Sequence, residues 1–210
     1  MYKTFYIAFV LIASLLFASG SAKANDSGLY AKALDPNSSF IRVLSSSKAA
    51  VRIDSKIYPQ LEKGVSPYVV VSPSSVEVVI GEKQGTVEAK PGKFYTIILS
   101  NSGELTVIDD QIAVNPAKAS LSFYNLTDVS ALDFYVPQAK ANAVSALASG
   151  HAKTVQLKAP LTLDFAAMAD GTKQATVSKV LLERGSGTSI IAENRDGTFH
   201  LRSVRNEIAH

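Results

Sequence analysis

An internal repeat constrains this sequence more than any other feature. Segments of the first half recur in the same order in the second half, and the offset between them increases overall, as loop insertions would make it. Duplication of one structural unit produces this pattern, whereas chance gives isolated matches. The sequence therefore predicts two copies of one unit. The matched pairs are 39–45 with 120–125, 63–69 with 149–155, 75–79 with 160–165, 91–98 with 184–191, and 101–105 with 195–199.

Each copy consists of short runs rich in β-branched and aromatic residues. Several runs alternate apolar and polar residues, as half-buried strands do, and turn sequences such as Pro91-Gly92 and Asp170-Gly171 separate them. Short strands at near-regular spacing are typical of β-sandwiches. We predict an all-β fold of two tandem β-sandwich domains of similar topology. The predicted strands are 40–44, 68–71, 76–80, 94–99, 105–108, 121–124, 132–136, 154–157, 161–165, 189–192 and 198–201.

The repeat also sets the predicted domain limits. Proline lacks an amide hydrogen and disfavours a continuing strand, so the link between the copies is placed around Asn115-Pro116. The predicted limits are a signal peptide over 1–24, an N-terminal sandwich over 25–112, a linker over 113–118, and a C-terminal sandwich over 119–210.

One segment of the second copy is ambiguous. The alanine-rich stretch 138–148 is compatible with a helical turn or with extended chain. Its counterpart in the first copy, 56–61, looks extended. We therefore predict a connection followed by a short strand.

The first residues have the layout of a secretory signal. Lys3 precedes an apolar and small-residue run over 5–18, and Ala22-Lys23-Ala24 provides a small-residue cleavage pattern. A retained membrane anchor is the alternative, but a spanning helix needs about 20 apolar residues and this run is shorter. We expect a cleaved signal and a periplasmic protein.

Charge and cysteine content exclude several classes of function. The chain has 21 Lys and Arg against 18 Asp and Glu, but Lys3 and Lys23 lie in the predicted signal, so the mature chain is near charge balance. Nucleic-acid binding requires a concentrated basic surface, which the sequence does not contain. The absence of cysteine excludes a thiol nucleophile, a cysteine zinc site and disulfides.

The sequence offers no recognisable catalytic constellation. Its three histidines are His151, His200 and His210, and none is accompanied by a Gly-Asp-Ser nucleophile element or an Asp-x-x-His motif. No histidine pair has metal-ligand spacing, and we interpret Asp109-Asp110 as a solvated loop. We therefore predict no catalytic residue, no metal and no cofactor.

Exposed aromatic residues are candidate contacts for a protein partner. Tyr is enriched at interface hot spots, although Tyr58, Tyr68 and Tyr135 are better explained as half-buried strand residues. Leu29-Tyr30 lies just after the predicted mature start, where two large apolar residues need a partner, either their own domain or another protein. The candidate interface residues are Leu29, Tyr30, Phe40 and Arg42.

The same region carries a family resemblance. Gly28-Leu29-Tyr30, then Pro36, then 39–43 resembles the opening of the periplasmic alginate O-acetylation protein F family. Pro91-Gly92 with 94–99 resembles its next block, and 118–128 resembles the start of its second half. The resemblance covers nearly the whole mature chain.

That resemblance implies a role in polysaccharide O-acetylation in the periplasm. It implies a non-catalytic adaptor that works with a membrane O-acyltransferase and SGNH-like acetyltransferase proteins on alginate or a related polymer. The alternatives are a polysaccharide-binding module and, ranked last, an acetyltransferase with an unfamiliar site that uses His151 or His200.

Overall fold

A computed structural model describes residues 35–45, 48–99, 103–195 and 197–209. The predicted signal peptide and the candidate residues Leu29 and Tyr30 lie outside these ranges. In the described ranges the chain forms strands and two short 3₁₀ turns, at Glu62–Gly64 and Pro137–Ala139. None of the described residues forms a helix long and apolar enough to cross a membrane.

The strands follow one another along the chain in two groups. Those of the first half are β1 Ser39–Leu44, β2 Val51–Ile53, β3 Lys56–Tyr58, β4 Tyr68–Val71, β5 Ser75–Ile80, β6 Lys83–Glu88, β7 Phe94–Leu99 and β8 Leu105–Asp109. Those of the second half are β9 Lys118–Leu126, β10 Ala131–Val136, β11 Ala141–Ala148, β12 His151–Lys158, β13 Leu161–Ala169, β14 Thr172–Leu182, β15 Gly187–Arg195, β16 Thr198–Asn206 and β17 Ile208–Ala209.

The strands assemble into four sheets, which form two sandwiches. In the first sandwich, outer sheet 1 has the order β3-β2-β5-β6 and inner sheet 1 has the order β17-β4-β1-β7-β8. In the second sandwich, inner sheet 2 has the order β12-β9-β15-β16 and outer sheet 2 has the order β11-β10-β13-β14. Each sandwich encloses its own apolar core.

The two sandwiches share one topology. In each inner sheet a central parallel pair, β1 with β7 or β9 with β15, is flanked by antiparallel neighbours. Both outer sheets are antiparallel throughout. The order β3-β2-β5-β6 of outer sheet 1 corresponds strand by strand to the order β11-β10-β13-β14 of outer sheet 2. The prediction of two tandem all-β sandwiches of similar topology is confirmed.

The inner sheets pack against each other, so their central strands β1, β7, β9 and β15 are buried on both faces. Every residue of β1 is buried, whereas β5 alternates between buried and more exposed positions. Leu44 and Ile98 of inner sheet 1 contact Tyr124 and Ile191 of inner sheet 2 in an apolar interface between the sandwiches. Burial on both faces explains why β1 and β7 are near-continuous apolar runs.

Several strands were missed because they are polar or short. β6 and β14 lie at sheet edges and expose much of their length, so their sequences lack a strong apolar signal. The segment 138–148 forms the end of a 3₁₀ turn and then the full strand β11, which is longer than predicted and buries only Val144 and Leu147.

The strand β17 connects the two sandwiches a second time. It follows β16 after Glu207 but pairs in parallel with β4, with Ile208 opposite Tyr68. The Tyr68 amide donates a 2.7 Å hydrogen bond to the Glu207 carbonyl. Inner sheet 1 is thus completed by a strand from the predicted C-terminal half.

Candidate functional site

The largest polar constellation surrounds Arg42 in the interface between the sandwiches. Arg42 lies in β1, within the otherwise apolar run Phe40–Leu44, and its side chain points toward inner sheet 2. It is only 1% exposed and is the largest fully buried side chain in the described part of the chain. A buried cation is costly unless it is paired and hydrogen-bonded, so the surroundings of Arg42 must supply acceptors.

Acceptors come from both sandwiches. The Arg42 Nε donates to Thr96 Oγ1 at 2.9 Å in the first sandwich. In the second sandwich, Nη2 donates to Tyr124 OH at 2.7 Å and to Ser189 Oγ at 2.9 Å, and Nη1 donates to Asn206 Oδ1 at 2.9 Å. One guanidinium group therefore joins β1 and β7 to β9, β15 and β16.

Asp110 provides the balancing negative charge. It follows β8 and is 2% exposed. Its Oδ2 accepts hydrogen bonds from Tyr68 OH at 2.7 Å and Thr96 Oγ1 at 2.6 Å, while Oδ1 accepts one from Tyr124 OH. The hydroxyl groups of Thr96 and Tyr124 thus each accept a hydrogen bond from the guanidinium and donate one to the carboxylate. The interpretation of Asp109-Asp110 as a solvated loop is wrong for Asp110.

Two aromatic rings complete the surroundings of the cation. The guanidinium carbon of Arg42 lies 4.4 Å from the centre of the Tyr68 ring and 5.4 Å from that of Tyr124. Cation–π contacts of this length are favourable and strengthen when water is excluded. The rings therefore add to the stabilisation that the hydrogen bonds provide.

The electrostatics of this cluster follow from burial and mutual contact. Burial raises the pKa of Asp110, and Arg42 and three hydroxyl donors oppose that rise. Burial raises the pKa of Tyr124 to about 12 and that of Tyr68 well above its ordinary value, although Arg42 opposes both shifts. Burial lowers the pKa of Arg42, but Tyr124, Tyr68 and Asp110 more than offset this and raise it. Both tyrosines therefore remain protonated donors at neutral pH.

This cluster is closed to a substrate. Its members Thr96, Asp110, Tyr124 and Ser189 are buried, and a reacting molecule would have to separate the two inner sheets to reach them. Within this buried polar network Asn206 Nδ2 has no hydrogen-bond partner, but the other hydrogen bonds hold the surrounding groups in one arrangement. Its evident role is to hold the sandwiches together.

The structure does not bring His151 and His200 together. His151 and His200 lie on β12 and β16, the opposite edge strands of inner sheet 2. The His151 ring nitrogen Nδ1 is 2.8 Å from the carbonyl of Ser149, a backbone contact. No group of His, Asp and Glu that could hold a metal ion occurs in the described ranges.

A second buried charge lies near one end of the interface. Glu193 of β15 is 5% exposed and receives Arg202 Nε at 2.5 Å and Arg195 Nη2 at 2.9 Å on the same oxygen. This group is an ion-pair network at the edge of inner sheet 2, and its acid is already neutralised by two cations.

The candidate interface residues Phe40 and Arg42 are both inside the protein. Phe40 is 2% exposed and stacks on Phe94 with ring centres 4.3 Å apart. Their side chains contact the chain itself and are not available at the surface. The interface roles of Leu29 and Tyr30 stay predictions.

Comparison with known proteins places the chain among proteins of alginate biosynthesis. The family described as "Alginate O-acetyl transferase AlgF" matches residues 12–189. An "Alginate biosynthesis protein AlgF" of Pseudomonas putida is 27% identical over 182 residues, which cover 85% of this chain and 84% of the relative. The protein of the same description from Pseudomonas syringae pv. tomato is 26% identical over 190 residues, covering 87% and 83%.

Solved structures are also similar. The C-terminal domain of AlgF from P. aeruginosa covers 43% of this chain and 99% of its own, with 19% identity and a TM-score of 0.38. The N-terminal domain covers 37% of this chain and 98% of its own, with 19% identity and a TM-score of 0.31.

The fold and the family match define an all-β, two-sandwich protein related to alginate O-acetylation. The chain belongs to the AlgF family. The resemblance predicted from the sequence motifs is confirmed.

Proposed function

We propose that this protein is a periplasmic, non-catalytic adaptor required for the O-acetylation of alginate or a related exopolysaccharide. Its expected partners are SGNH-like acetyltransferase proteins and a membrane O-acyltransferase. The observation that carries the proposal is the Arg42 cluster. The charged and hydroxyl side chains of this cluster are buried between the sandwiches and join them by hydrogen bonds. A partner can therefore contact only the outer surface of two rigidly connected sandwiches.

An adaptor benefits from this construction. A partner held on one sandwich keeps a fixed orientation relative to a partner held on the other, because the interface between the sandwiches is apolar and hydrogen-bonded. Linking two binding surfaces on one body raises the effective concentration of one partner near the other. An acetyl group passed between two partners would gain from such proximity.

The experiment measures binding and acetylation separately. The purified protein is titrated against the soluble domain of an SGNH-like acetyltransferase from the same organism, and polymer acetylation is measured in a deletion strain. We expect binding to the acetyltransferase and loss of acetylation in the deletion strain. The proposal fails if the protein binds none of the acetylation proteins and the deletion strain acetylates normally.

The family description names a transferase, so intrinsic activity needs its own test. The purified protein is incubated with an acetyl donor and alginate, alone and as the His151→Ala and His200→Ala variants. If the wild-type protein turns over the donor and either substitution abolishes this activity, the protein is an enzyme and the adaptor proposal is wrong. Titration with alginate alone tests the polysaccharide-binding alternative.

A further inference from the structure

A cleft of about 390 Å³ opens where the two sandwiches meet beside β17. One wall is the crossover from Tyr58 to Pro67, which connects outer sheet 1 to inner sheet 1. The other wall is formed by Val204, Arg205 and Glu207, where β16 passes into β17. Ligand-binding pockets usually have volumes of about 300–1,000 Å³, so this cleft has the size of a small binding site.

The floor of the cleft is apolar and continuous with the interface between the sandwiches. Leu61 and Val65 are largely buried, and Val65 and Val204 both pack in the apolar cluster that joins the inner sheets. Tyr58 is half-buried at one side and packs against the core of the first sandwich. An apolar side chain entering the cleft would therefore extend an interface that already exists.

The rim of the cleft is polar and carries both charges. Glu62 and Glu207 are balanced by Lys63 and Arg205, and all four residues are exposed. Arg205 also forms a 2.5 Å ion pair with Glu183 at the surface, where such pairs contribute little. The two carboxylates of this rim would repel an anionic polymer. A protein surface with an apolar centre and a polar border of both charges is more complementary to the cleft than such a polymer is.

The walls of the cleft are held in place. The backbone of Gly64 has φ +66°, and a Cβ there would lie 2.7 Å from the carbonyl oxygen of Ser45, so the crossover packs closely on β1. On the opposite side, pairing of β17 with β4 fixes Glu207 through its hydrogen bond from Tyr68. The cleft is consequently preformed and needs residues from both sandwiches.

We infer that this cleft receives a loop of a partner protein that carries one large apolar side chain flanked by polar residues. The side chain packs on Leu61, Val65 and Val204, and the flanking residues contact the charged rim. This inference rests on the proposed adaptor function and adds the contact surface to it. A partner bound here touches both sandwiches at once.

The test fills the cleft without altering the core. Gln60→Trp and Glu62→Trp place a large side chain at the mouth from exposed positions, and Gln174→Trp on β14, exposed and outside the cleft, is the matched control. Binding to the soluble SGNH-like acetyltransferase is measured by titration. We expect both cleft variants to bind at least about tenfold more weakly and the control to bind like wild type.

The outcomes separate the two proposals. If the wild type binds the acetyltransferase and both cleft variants bind it equally well, the cleft inference fails while the adaptor function stands. If the wild type binds none of the acetylation proteins, the cleft inference fails, and the adaptor proposal fails as well if the deletion strain acetylates normally. If alginate oligosaccharides bind the wild type and Gln60→Trp prevents this, the cleft is a sugar site and the inference is overturned.

Discussion

Arg42 and Asn206 are joined by a 2.9 Å hydrogen bond although 164 residues separate them in the sequence. Arg42 lies in the first strand of the first sandwich, and Asn206 ends the last strand of inner sheet 2. This bond and the β17 pairing beside it hold the sandwiches together in addition to the linker. The stability of the interface therefore depends on a few identifiable side chains.

Replacing Arg42 should destabilise the whole protein. Arg42→Met replaces the guanidinium with a shorter apolar side chain and leaves the Asp110 carboxylate buried without its cation. Loss of one partner of a buried charge pair costs about 3–5 kcal/mol, so the free energy of unfolding in urea should fall by that amount. Arg52→Met is the control, because Arg52 pairs with Glu77 at the surface and its loss should cost about 1 kcal/mol or less. Equal losses in both variants would contradict this account.

Alkaline pH should weaken the protein through Tyr124. Its pKa in the folded state, about 12, lies above the ordinary value of 10.0, so the folded state holds the proton more tightly than the unfolded state does. This contribution to stability is fully present below pH 10 and is lost as the pH rises through about 12. Spectroscopic titration of tyrosinate should show a late phase that Tyr124→Phe reduces. The late phase should also disappear in urea, where burial is lost; a late phase that persists in urea would refute the assignment.

Removing β17 should leave the backbone of β4 without a strand partner on that side. Deletion of residues 207–210 removes the strand partner of Tyr68 and Val69 and the contact of Ile208 with the cluster of Phe40, Tyr68 and Phe94. Hydrogen exchange at the Tyr68 amide should become much faster, because its acceptor is the Glu207 carbonyl. Ile208→Val is the control and should keep the amide protected. Unchanged protection in the deletion variant would show that the pairing contributes nothing.

Gly64 should tolerate alanine less well than Gly171. Both have positive φ, +66° and +75°, so alanine adds a conformational cost of about 1–2 kcal/mol at each. Only at Gly64 would the new Cβ meet backbone, 2.7 Å from the Ser45 carbonyl oxygen, whereas nothing lies within 4 Å at Gly171. Thermal unfolding should show a clearly larger loss for Gly64→Ala. A loss no larger than that of Gly171→Ala would mean that the crossover can shift away from β1.

The central strands of the inner sheets were predictable because they are buried on both sides. Runs such as 94–99 keep their apolar character along the whole strand, and the repeat identified their equivalents in the second half. The edge strands β6 and β14 were not predicted because they are exposed to water. Exposed polar residues such as Lys83 and Lys173 are as common in loops as in edge strands, so they do not identify a strand.

The Arg42 cluster was only partly visible in the sequence. An arginine between Ile41 and Val43 in an apolar run signals a buried or interfacial charge, and the sequence predicts Arg42 at an interface with a partner protein. That interface proved to be internal. Its acceptors come from strands far apart in the sequence, and nothing local marks Asp110 or Asn206 as their members.

The pairing of β17 with β4 makes the first sandwich depend on a strand that follows the second sandwich in the chain. The chain after β8 forms no equivalent strand, and Ile112 packs on the cluster of Phe40, Tyr68 and Phe94 without pairing. Neither sandwich can be exchanged for the other without removing the strand that pairs with β4. Each half of the chain therefore limits the substitutions that the other half can tolerate.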